Sequence, residues 1–106
     1  VDAKVVIADT RSLTVTEVID LRDMHDKELL LGWCRGLLLD GDRLWVGFSR
    51  MRPTRFRENV AFLKNGFRHY LGTHVACYDL RERRCVAQID TEAAGLNAVF
   101  GVYSAD

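Results

Sequence analysis

The chain has 106 residues, 48% of them hydrophobic, and a formal net charge of zero. That length suits one domain with a modest core, and that apolar share excludes wholesale disorder. The balanced charge names no partner, and no run nears the roughly 18 apolar residues of a membrane helix.

Residues 5–9 (VVIAD) read as a strand ending at an Asp, residues 10–13 as a turn, and residues 14–21 as a second, β-branched strand. Further on, residues 75–79 (VACYD), 80–83 and 84–90 have the same layout. The two hairpins align at an offset of 70 without a gap: Val5 with Val75, Asp9 with Asp79, Arg11 with Arg81, Ile19 with Ile89, Asp20 with Asp90. Such self-similarity points to a repeat. Asp9 and Asp79 are expected to cap their turns through the backbone.

Between the hairpins lies GWCRGLLLDGDRLWVGFS, residues 32–49. Leu37, Leu38 and Leu39 form an apolar run, as in a strand buried on both faces. Asp40-Gly41-Asp42 is turn chemistry. Leu44, Val46 and Phe48 then alternate with Trp45, so both faces of this strand are apolar and need cover. Gly47 would let a neighbouring sheet approach closely. After each hairpin a connector leads through a Gly (Gly32, Gly95) into an apolar strand.

This order predicts an all-β chain with one short helix in an insertion. It suits β-propeller blades, about one and a half to two of them, each a four-stranded antiparallel meander. Residues 1–21 would be the outer hairpin of one blade. Residues 32–90 would be a full blade with an insertion at 50–72, and residues 95–103 an inner or ring-closing strand of the next. The 70-residue period exceeds the roughly 40–50 of an ordinary blade, and the insertion carries the excess. The insertion holds Arg50, Arg52, Arg55, Arg57, Lys64 and Arg68 against one acid, Glu58. Thr54 as cap, Phe56, Val60, Leu63 and Phe67 as stripe, and Gly66 as stop predict a short amphipathic helix.

Trp33-Cys34-Arg35-Gly36-Leu37, followed by Leu44-Trp45-Val46-Gly47-Phe48-Ser49-Arg50, resembles the C-terminal part of a group of largely uncharacterised bacterial β-propeller proteins. Those have an aromatic-Cys-Arg-Gly-Leu strand, a Val-Gly-Leu-Ser-like strand, a polar insertion and a final Asp-containing hairpin. Phe48 stands where the pattern has Leu, and this insertion is unusually basic. The resemblance implies the propeller fold and a last strand near the C-terminus. It brings no catalytic residue.

No Walker loop is present, since Asp42 stands where Lys is needed, and no GxSxG, HExxH or N-x-Ser/Thr occurs. Topology would place Trp33, Cys34, Arg35 and Asn97 at the mouth of a central channel, the candidate ligand-binding set. Arg35 needs an acid partner or a polar channel. Cys34 beside it could be a lowered-pKa nucleophile or a small hydrophobe. Arg50, Arg52, Arg55, Arg57 and Arg68 are the candidate partner-binding set. His69, His74 and the Asp23–Glu28 connector show no ligand geometry and read as solvated loop residues, so no metal or cofactor is expected.

Cys34, Cys77 and Cys85 are odd in number and lack a CxxC, which reads as reduced thiols of a cytoplasmic protein. A bridge between Cys77 and Cys85 stays open. The start at Val1 rather than Met reads as a piece of a longer protein, and no signal peptide is visible. The leading functional expectation is a non-enzymatic binding or scaffold module that presents its basic insertion to an acidic protein or anionic ligand. Its other expected partners are remaining blades or further copies of itself. The alternative is a propeller enzyme acting on a small anionic substrate through Arg35, Cys34 or Asn97. Nucleic-acid binding is the weakest reading, because the aromatics of the insertion suit a packed stripe better than stacking platforms.

Overall fold

The computed structural model describes residues 3–26, 29–51 and 69–105, His69 and Tyr70 by their backbone alone. These residues are mostly strand. Strands β1 (Lys4–Asp9) and β2 (Thr14–Asp20) form an antiparallel hairpin. A single 3-10 turn (Leu21–Met24) follows, capped by the Asp20 carboxylate, which accepts from the Arg22 N–H at 3.0 Å. Two-residue β3 (Leu29–Leu30) runs parallel to two-residue β6 (His69–Tyr70). The main sheet is an antiparallel meander of β4 (Trp33–Asp40), β5 (Arg43–Ser49), β7 (His74–Asp79) and β8 (Arg84–Asp90), in that spatial order. No sheet closes on itself among the described residues.

Turn chemistry sets the registers. Asp40 pairs with Arg43, and Gly41 takes φ +60° at the first central position, as a type II′ turn demands. The two longer hairpins share one geometry. Asp9 Oδ1 accepts from the N–H groups of Arg11 (2.7 Å) and Ser12 (3.1 Å), and Asp79 Oδ1 from those of Arg81 (2.9 Å) and Glu82 (3.0 Å). Leu13 and Arg83 end the loops at φ +56° and +57°. Val5 faces Ile19 as Val75 faces Ile89, and both ladders slip by one residue at the same point, leaving Thr16 and Val86 as bulges.

The backbone bonds hold both capping carboxylates below their ordinary range, chiefly through Ser12 for Asp9 and Glu82 for Asp79. A lowered carboxylate stabilises the fold above its unfolded pKa, and the contribution vanishes as pH falls through the folded value. Asp79→Ala should therefore lower the melting temperature at pH 7 by a few degrees, and by much less at pH 2. Equal losses at both pH values would refute the cap.

The core lies on one face of the main sheet. Leu44, Val46 and Phe48 of β5 stand beside Tyr78, Ala76 and His74 of β7, matched one to one across the ladder. The hairpin β1–β2 and its connector cover them with Ala3, Val5, Ile19, Leu21 and Leu31. The charged tips add an exposed Arg83–Glu17 bridge at 2.5 Å, worth about 0–1 kcal/mol.

Two expectations are corrected. Leu37 and Leu39 are not buried on both faces but exposed. Strand β4 is the edge of the sheet, and the core beneath β1–β2 is built on β5 and β7 instead. The segment expected as an inner strand at 95–103 is not a strand. It crosses the other face of the sheet, held by side chains rather than by a ladder. Ser49 Oγ accepts from the Val99 N–H at 2.9 Å and donates to the Val99 carbonyl at 3.0 Å. Glycines open the space for it: a methyl on Gly36 would lie 2.7 Å from Gly101 Cα, and one on Gly47 would run into the Val99 side chain. The helix expected from Thr54 to Gly66 lies outside the described residues.

Candidate functional site

One end of the sheet gathers the start of β4, the end of β5, the start of β7 and the end of β8. Thr73, fully buried just before β7, ties this end together. Its hydroxyl accepts from the Arg50 N–H at 3.0 Å and donates to the Asn97 carbonyl at 2.8 Å. Its carbonyl accepts from the Thr91 hydroxyl at 2.8 Å and from the N–H groups of Thr91 and Glu92 at 3.2 Å. A threonine suits this work because one hydroxyl both donates and accepts. Arg50 and Glu92 form an ion pair across the junction at 3.6 Å.

Four of the expected site residues meet at this end. Trp33 pairs with Ser49, and Cys34 with Phe48, in the first steps of the β4–β5 ladder. Asn97 joins through its backbone, and Arg50 through its amide and its Glu92 partner. Arg35 follows at the irregular step of the ladder between Cys34 and Leu37. It is exposed and makes no ion pair among the described residues, so of the two expected settings, an acid partner or a polar channel, the first is not found among them. Arg52, Arg55, Arg57 and Arg68 lie outside the described residues.

The electrostatics do not favour thiol chemistry. Cys34 is exposed, yet desolvation by its surroundings raises its thiol above the ordinary pKa, the opposite of an activated nucleophile. All three cysteines are free thiols. Cys77 stands opposite Ala87, and Cys85 opposite Tyr78, one step apart along the ladder. Among the described residues no cluster of three His, Cys, Asp or Glu could hold a metal ion. Nor is any helix among them long and apolar enough to cross a membrane.

A second polar feature was missed in the sequence. His74, expected as a solvated loop residue, is buried in β7 and stacks on Phe48 with ring centroids 4.9 Å apart. Its Nδ1 lies 2.7 Å from the Gly72 carbonyl, which can only accept, so Nδ1 carries the proton. Nε2 is then buried without a hydrogen-bond partner among the described residues. His25, half-buried, bonds through Nε2 to the Tyr78 hydroxyl at 2.8 Å. Desolvation lowers the pKa of both rings; for His74 the Gly72 carbonyl and Asp90 partly oppose it. Burial drives the Tyr78 phenol far above its ordinary range, so it stays protonated.

Comparison with protein-family models, with curated proteins and with solved structures finds no match.

Proposed function

We propose that the chain is part of a β-propeller, one complete blade with the outer hairpin of the blade before it. Its role is that of a non-enzymatic binding module. It presents the basic segment 50–72 to an acidic protein or an anionic ligand. The observation that carries this reading is the Thr73 clasp. By holding the Arg50 amide beside β7, it fixes the start of the basic segment next to its end at one end of the four-stranded sheet. A charged excursion on a rigid base is how recognition loops are commonly carried. Three free thiols suit a reducing compartment such as the cytoplasm.

Arg50 is partly neutralised by Glu92, so the binding charge falls to Arg52, Arg55, Arg57 and Arg68. Reversing Arg52, Arg55 and Arg57 to Glu should weaken binding to immobilised polyglutamate at least about tenfold at low salt. Unchanged binding refutes the reading. A steep loss of single-stranded DNA affinity with salt would favour nucleic acid instead.

A second reading keeps one specific observation. Arg35 is an exposed cation without an ion pair among the described residues, near the start of β4. An enzyme acting on a small anion would use it to hold the substrate. Full turnover of such a substrate by a folded Arg35→Ala variant would remove that role.

A further inference from the structure

The hairpins β1–β2 and β7–β8 carry the same apolar pair at the same register: Val5 opposite Ile19, and Val75 opposite Ile89. Their surroundings differ. Val5 and Ile19 are 9% and 5% exposed, whereas Ile89 is 52% exposed and Val75 only half-buried. The first pair is covered by the face of β5 and β7 that carries Val46, Ala76 and Tyr78. The counterpart of that face on β1–β2 holds Val6, Ala8 and Val18, because Val6 stands where Ala76 stands and Ala8 where Tyr78 stands. This counterpart is bare: Val6 is 57% and Val18 54% exposed. One sheet-to-sheet joint is thus made within the chain. The two halves of a second joint of the same kind are left, one on each hairpin: the Val6–Val18 face is bare, and on β7–β8 Ala87 and Ile89 are exposed beside the half-buried Val75 and the buried Cys77.

We infer that copies of this chain associate head to tail, with the Val6–Val18 face of β1–β2 in one copy packed on the Val75–Ile89 face of β7–β8 in the next. A second set of bare groups fits the same arrangement. The segment 97–103 lies over the β4–β5 part of that receiving face, through Val99 on Gly47 and Gly101 on Gly36. Phe100 and Tyr103 project from it almost fully exposed. On the other side, β1–β2 leaves Leu37 and Leu39 of its own β4 uncovered. In the head-to-tail pair, the hairpin of one copy and the segment 97–103 of the other lie side by side as one layer between two four-stranded sheets. Phe100 and Tyr103 then come within reach of Leu37 and Leu39. Each sheet gains the cover that two apolar faces require.

The contact is heterologous, so it propagates from copy to copy and closes only as a ring. It does not depend on the basic insertion, and its failure would leave the binding role of that segment standing.

The test uses the full chain in sedimentation velocity. Wild type should grow in mass with concentration. Val18→Lys blocks one half of the joint and Ile89→Lys the other, so each variant alone should be monomeric, with its β-sheet circular dichroism retained. An equimolar mixture should form a dimer and stop there, because one intact half from each variant remains. A wild type that stays monomeric at about 1 mM overturns the inference. A mixture that stays monomeric, or association that survives in either variant alone, also overturns it. If the Lys variants unfold, Val18→Thr and Ile89→Thr replace them. Each should weaken association at least about tenfold, and an unchanged mass profile counts against the joint.

Discussion

Tyr78→Ala should destabilise the chain by about 3–5 kcal/mol, read as a shift in the urea midpoint, and in a chain this small that approaches global unfolding. Tyr78 is fully buried at the centre of the core, opposite Leu44 on β5. Removing the ring leaves a cavity beneath the hairpin and takes away the edge-to-face contact with His25, whose ring centroid lies 5.5 Å off. Tyr78→Phe isolates the polar part. It keeps the ring, strands His25 Nε2 and should cost about 1–3 kcal/mol. A Phe variant as stable as wild type would mean that the hydrogen bond contributes nothing. An Ala variant that loses less than about 1 kcal/mol would mean that the hairpin is not packed on the sheet as described.

Stability should fall as pH drops below about 6.5, the ordinary histidine value. Burial lowers the pKa of His74 and His25 in the folded chain. The unfolded chain therefore binds more protons once pH passes below the ordinary histidine value, and unfolding becomes easier. The contribution is complete above that value and is lost progressively below it. His74 dominates, being almost wholly buried with Nε2 unpartnered among the described residues, so protonation would place an unsolvated charge in the core. His74→Phe, able to stack on Phe48 in the same way, should flatten the profile between pH 7.5 and 5.5. Equal urea midpoints for wild type at those two pH values would refute the argument.

The hairpins were legible because their signals are local. An Asp at the end of a strand, a four-residue loop and β-branched arms repeat at one offset, and the registers follow from them. The β4–β5 turn was legible for the same reason. What the sequence hid depends on contacts distant along the chain. His74 follows Gly72 and Thr73 and reads as loop, yet the Gly72 carbonyl and Phe48 make room for it in the core. Thr73 gave no signal, because its role comes from three segments converging on one hydroxyl and one carbonyl. The β3–β6 ladder joins two pairs of residues 40 positions apart, and nothing in Leu29-Leu30 or His69-Tyr70 marks the match. The candidate residues Trp33, Cys34, Arg50 and Asn97 share an end of the sheet, but Asn97 reaches it through its carbonyl on Thr73 and not at the start of a strand, and Arg35 makes no ion pair among the described residues.

Both outer strands of the main sheet break their ladders, β4 between Cys34 and Leu37 and β8 at Val86. An edge strand with an unbroken row of free N–H and C=O groups invites another edge to pair with it, the first step toward fibrils. The irregular steps spoil that row on both sides. A chain that shows apolar side chains as plainly as this one is thereby steered away from growth by backbone pairing, and its sticky surfaces are left to meet only face to face.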